Sequence, residues 1–113
     1  MGYNLEKVNA ISDGDKDFIE AVVIAFIEEI PEDLVKFEQE VKAGNYKEIY
    51  QVSHKIKPNL DLLGMQESYD INLQILSWSK EETNMADIAT TFDTLLAKIN
   101  SNIDELKKEF NLP

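Results

Sequence analysis

Apolar positions recur at steps of three and four along almost the whole chain, the period of an α-helix. The first long segment runs from about Asp15 to Ala43. Asp13, Asp15 and Asp17 favour the positive end of its macrodipole, and Gly44 supplies a stop just past its end. Residues 21–27, Ala-Val-Val-Ile-Ala-Phe-Ile, would suit a strand on local propensity alone. Their continuation into Glu-rich sequence of helical period favours a helix. Ile30, Leu34, Phe37 and Val41 then form a stripe on one face. Pro31 interrupts that stripe and predicts a kink or a split into two helices. Because 21–27 is apolar all round, a further element should cover its far side. Leu5, Val8 and Ile11 of the N-terminal segment are the candidates.

Three more helices follow. The second is predicted over 45–63, opened by a capping-box-like pair of Asn45 and Glu48. Its stripe is Ile49, Val52, Ile56, Leu60 and Leu63. The third spans about 66–79, with Tyr69, Leu73 and Leu76 on one face and Ile71, Ile75 and Trp78 on another, so it reads as buried on two sides. A polar loop, 80–84, leads into the fourth helix, about 85–110. Its stripe, Ile88, Phe92, Leu95, Ile99, Ile103, Leu106 and Phe110, steps by three and four in the manner of bundle packing. No credible strand pair competes. The expected fold is all-α: an antiparallel four-helix bundle with a short N-terminal helical segment packed on it, as a single domain over residues 1–113.

Composition narrows the function. The chain has 113 residues, enough for one core without cross-links, and no cysteine to supply a disulfide, a thiolate metal ligand or a thiol nucleophile. Its N-terminus lacks the basic and apolar regions of a signal peptide, and no apolar run approaches membrane-spanning length. A soluble cytoplasmic domain is therefore expected. Eleven lysines, with no arginine, face 22 acidic residues, giving a net charge of −11. That balance disfavours nucleic acid and anionic membrane as partners, since both need a cationic footprint. The stretch 42–58 departs from the trend: it carries +3 and leaves −14 for the remainder.

That basic island surrounds the only histidine, His54. At about 100° per residue, His54 lies roughly 160° from the centre of the buried stripe of its helix, so it is predicted to face solvent. Lys57, three residues on, shares the adjoining row. Lys47, Tyr50 and Gln51 precede His54 on the same side, and Asp61 follows it. Lys55 points elsewhere and can only flank the site. On position alone a surface histidine more often has no role. With no second histidine and no carboxylate cluster nearby, no metal site is expected. Ser53 points away and makes a poor serine-type triad. What remains is an exposed imidazole with a free lone pair, beside lysines able to neutralise an arriving phosphoryl group. A glycine-rich nucleotide loop is absent, which argues against kinase activity of its own.

The run His54-Lys55-Ile56-Lys57-Pro58-Asn59-Leu60-Asp61-Leu62-Leu63-Gly64 resembles the signature of histidine-containing phosphotransfer (HPt) domains. That signature has an apolar residue two after the histidine, lysine at three, a small residue at four and glycine at ten. Ile56, Lys57, Pro58 and Gly64 occupy those places. Phe18 to Leu34 is similar to the family's long acidic helix, and Ala43-Gly44-Asn45-Tyr46 to its turn into the histidine helix. The resemblance spans about 3–110 and is strongest over 41–64. It implies a phosphocarrier that takes a phosphoryl group on His54 from a phospho-aspartate of a receiver domain and passes it to another receiver. Lys57 would steady the phosphoryl group. Lys47, Tyr50, Gln51, Lys55, Pro58 and Asp61 would border the docking surface. The implied partners are response-regulator receivers and a hybrid sensor histidine kinase. No cofactor is expected on this chain; Mg²⁺ would sit on the receiver. Where the family usually has glycine this chain has Pro58, which removes a hydrogen bond to the carbonyl of residue 54 and predicts a local kink. The competing expectation is a bundle that binds such a partner without carrying phosphate.

Overall fold

The computed structural model describes residues 2–113; Met1, the first residue of the expected domain, lies outside them. The described chain is all-helical: α1 (Glu6–Ser12), α2 (Lys16–Ala43), α3 (Tyr46–Leu62), α4 (Gln66–Glu81) and α5 (Met85–Glu109). At about 1.5 Å per residue, α2 alone is about 42 Å long, and the molecule's long axis is 43 Å. α2 packs against α3 and α5, α4 packs against α3 and α5, and α1 packs on α2.

Local chemistry accounts for both ends of α2. The Asp15 carboxylate accepts from the backbone N–H of Asp17 (3.0 Å) and Phe18 (3.2 Å), capping α2. Gly44 closes α2 with φ 69°, a left-handed turn that glycine adopts without strain. α2 is not split at Pro31. The proline is exposed, so the carbonyl that loses its donor can be hydrated. The expected capping box at Asn45 does not form, because Asn45 makes no side-chain cap. Glu48 is drawn instead toward Lys36 of α2, 3.6 Å away.

The stripes read from α2, α3 and α5 enter the core. Phe37 and Phe92 meet at its centre, with ring centroids 4.6 Å apart and planes tilted by 35°. α4 differs from expectation. Its buried residues are Ser68, Asn72, Ile75 and Ser79, all within one arc. Tyr69, Ile71, Leu73, Leu76 and Trp78 lie half-buried on the two flanks of that arc. Small side chains along the inner line bring α4 close to α3, and the large apolar ones fill the crevices on either side. Of the N-terminal trio, Val8 is buried and Leu5 half-buried, but Ile11 is 67% exposed and covers nothing. α1 is only seven residues long, about two turns, and Val8 is its one buried residue.

Candidate functional site

The orientation of α3 decides what its outer face can present. Ile49, Val52, Ser53, Ile56 and Leu60 are buried. Ser53 is held at 0% exposure by a polar clip to α4. Its Oγ donates to Asn72 Oδ1 at 2.7 Å, and Asn72 Nδ2 donates back to the Ser53 carbonyl at 2.9 Å. A reciprocal bond of this kind has directional demands that an apolar contact lacks. It therefore fixes the rotation of α3 immediately before His54. Sequence periodicity missed Asn72, since it sits between Ile71 and Leu73. The available signal was the set of small or polar residues at 68, 72 and 79 with Ile75, which share one helical row.

His54 is exposed on the opposite side. Its ring meets that of Tyr50, one turn earlier, with centroids 5.8 Å apart and a 30° tilt. Gln51, Lys47 and Pro58 are exposed on the same helix, and Lys57 and Tyr50 are half-buried. α3 continues past Pro58 to Leu62.

The basic island divides in two. Lys42 lies 3.5 Å from Glu38. Lys55 bonds Asp33 at 2.7 Å and lies 3.8 Å from Glu29. The bond to Asp33, and then its charge, raise the Lys55 ammonium above the usual lysine range. Lys47 and Lys57 have no carboxylate partner among the described residues. The two free cations are thus the ones on the face of His54. Asp61 accepts from Lys7 at 2.6 Å, which ties the end of α3 to α1.

Comparison with protein-family models, with curated proteins and with solved structures finds no match.

Gly64 has a structural reason of its own. It closes α3 at φ 61°, and a Cβ there would come within 2.5 Å of the Asn4 carbonyl oxygen. Asn4 donates its backbone N–H to the Leu63 carbonyl at 2.9 Å, and the Tyr3 hydroxyl donates to the Glu109 carboxylate. Burial, reinforced by that carboxylate, pushes the Tyr3 phenol well above its ordinary range. The glycine lets residues 3–4 cross the α3–α4 turn and anchor on α5. The N-terminal strap thus braces the C-terminal end of the helix that carries His54.

Proposed function

We propose that this chain is a phosphorelay carrier of the HPt kind, folded as an antiparallel four-helix bundle of α2 to α5 with α1 packed on it. Short turns between successive helices and the packing of α5 on α2 support that arrangement. The observation that carries the functional reading is the pairing of an exposed imidazole with a carboxylate-free Lys57 one turn on, on a helix whose rotation is locked at the adjacent residue.

In the proposed step, His54 carries its ring proton on Nδ1 and attacks with the Nε2 lone pair. The nitrogen–phosphorus bond forms as the bond from phosphorus to the aspartyl oxygen of the receiver breaks. The carboxylate leaves with the electron pair, and the Nδ1 proton passes to solvent. Lys57 offsets the charge on the equatorial oxygens. Mg²⁺ belongs to the receiver, as does the acyl phosphate, so the chain needs no kinase activity. A receiver supplied by a hybrid sensor kinase would be the donor and a second receiver the acceptor, in the cytoplasm.

The test is incubation with phosphorylated receivers from the same organism. Acid-labile, base-stable label is expected on the wild type and none on His54→Gln. Absence of label with every receiver would refute the reading. Lys57→Ala should slow transfer or shorten the phosphohistidine lifetime, with stability within ~0.5 kcal/mol of wild type. A large fall in Tm would show that Lys57 is structural instead.

Pro58 favours a second reading, a module that binds a receiver or kinase without carrying phosphate. It adds bulk four residues after His54 and takes away the donor to the His54 carbonyl. Binding that survives His54→Ala, with no transfer, would establish it.

A further inference from the structure

Two grooves flank the outer face of α3, each lined by two lysines and one acid, and they differ in whether those lysines are ion-paired. The groove toward α2 is lined by His54 with Asp33, Lys36 and Lys55. Its cations are already engaged: Lys55 by Asp33 and Glu29, Lys36 by Glu48. Asp33 is 7% exposed, and its Oδ2 is buried without a partner. An acidic surface placed there would meet carboxylates whose counter-charges are taken, and an orphaned acceptor below them.

The groove toward α4 has the same formal balance but a different pairing. Lys47 and Tyr50 of α3 form one wall, and Ser79 and Lys80 at the end of α4 form the other. Neither lysine has a carboxylate partner among the described residues. Glu82 at the rim is the only acid lining it. In a chain of net charge −11, this is a local positive excess facing a concave surface. Tyr50 joins it to the histidine, because the same ring lines the groove and meets the His54 ring. Lys57 falls on this side too. On the helical wheel it lies roughly 40° from Ser53, the residue clipped to α4, whereas Glu48 and Lys55 lie roughly 140–160° from it.

We propose that the α3–α4 groove is the docking surface for a carboxylate-rich face of a receiver-class protein. Lys47 and Lys80 are its two cationic walls, and Tyr50 links the docked partner to His54. The partner thus approaches His54 from the α4 side, where the lysines are unpaired, and not from the α2 side, where they are engaged. The identity of the partner rests on the phosphocarrier reading; the choice of side rests on which groove keeps its lysines unpaired.

The experiment measures binding of beryllofluoride-loaded receiver domains from the same organism to the full chain, in a His54→Gln background that removes transfer. Lys47→Glu/Lys80→Glu is compared with Lys36→Glu/Lys42→Glu, which makes the same change of charge around the other flank. Melting curves confirm that both are folded. The first pair should weaken Kd by about tenfold or more at low ionic strength, an effect that shrinks as salt screens it. The second pair should stay within about twofold. No change with the first pair, an equal or larger loss with the second, or no binding by any receiver would overturn the proposal. The two ideas fail separately. Label that reaches His54 at an unchanged rate in Lys47→Glu/Lys80→Glu would sink the groove and leave the carrier standing. The predicted binding pattern without label on the wild type would do the opposite.

Discussion

Turned inward, α3 presents Ile49, Val52, Ile56 and Leu60, together with a serine clipped to Asn72. Turned outward, the same helix presents Lys47, Gln51, His54 and Pro58 to solvent, with Tyr50 against the His54 ring. The inner face holds its residues by burial and by a directional hydrogen bond. The outer face holds almost nothing: among the described residues no hydrogen bond engages the imidazole, Lys47 or Lys57. The polar groups of the outer face therefore contribute little to holding the fold. Those groups are aimed by what lies behind them, so substitutions should separate into inner-face ones that lower stability and outer-face ones that leave it unchanged.

The largest stability effect is expected on the inner face. Ile56→Ala deletes a side chain with no solvent exposure and should cost about 2–5 kcal/mol, read from denaturant unfolding. A cost well under that would mean the inner face is not what fixes α3. Asn72→Ala should cost less, about 1–3 kcal/mol, because the Ser53 hydroxyl keeps a second acceptor, the Asn72 backbone carbonyl at 3.3 Å. It sharpens the comparison through a further readout. With the clip gone, the His54 ring resonances should broaden or shift in NMR spectra, even though Asn72 lies on another helix. Unchanged resonances would show that the clip does not aim the outer face.

Lys55 stands between the two faces and should show its effect only at high pH. Its pKa is raised by the Asp33 bond, so its contribution is fully present below the ordinary lysine value of about 10.5 and is lost as pH rises through the higher folded value. Wild type should lose Tm over that alkaline range more steeply than Lys55→Met. Tyr3 acts in the same direction, since its phenol is also raised, so the comparison is made in a Tyr3→Phe background. Parallel curves would show that the pair adds nothing.

Much of the helical plan was legible in the sequence because apolar burial leaves a period. Ile88, Phe92, Leu95, Ile99, Ile103 and Leu106 step by three and four, and all six are buried. The outward direction of His54 followed from the same arithmetic. What periodicity could not supply was any contact made by polar groups across helices. The inner line of α4 is hidden because Ser68, Asn72 and Ser79 read as surface residues until a neighbouring helix is known to approach them. The basic island read as a single patch, yet partners from α2 on two of its lysines divide it. Glu48 has the right spacing for a capping box, but spacing does not reveal the competing Lys36. Gly64 stood out as the residue just past the predicted end of its helix and as a place in the family resemblance. Its physical reason, the passage of residues 3–4 over the turn, needed three dimensions.

The most direct test of the central claim is to locate the phosphoryl group itself. The chain is incubated with a phosphorylated receiver, digested at neutral to alkaline pH, and read by tandem mass spectrometry. One phosphorylated peptide is expected, the one containing His54, whose phosphorus–nitrogen linkage is lost on brief acid treatment and absent from His54→Gln. An unmodified His54 peptide with every receiver tried, or a phosphoryl group on a serine, threonine or aspartate instead, would contradict it.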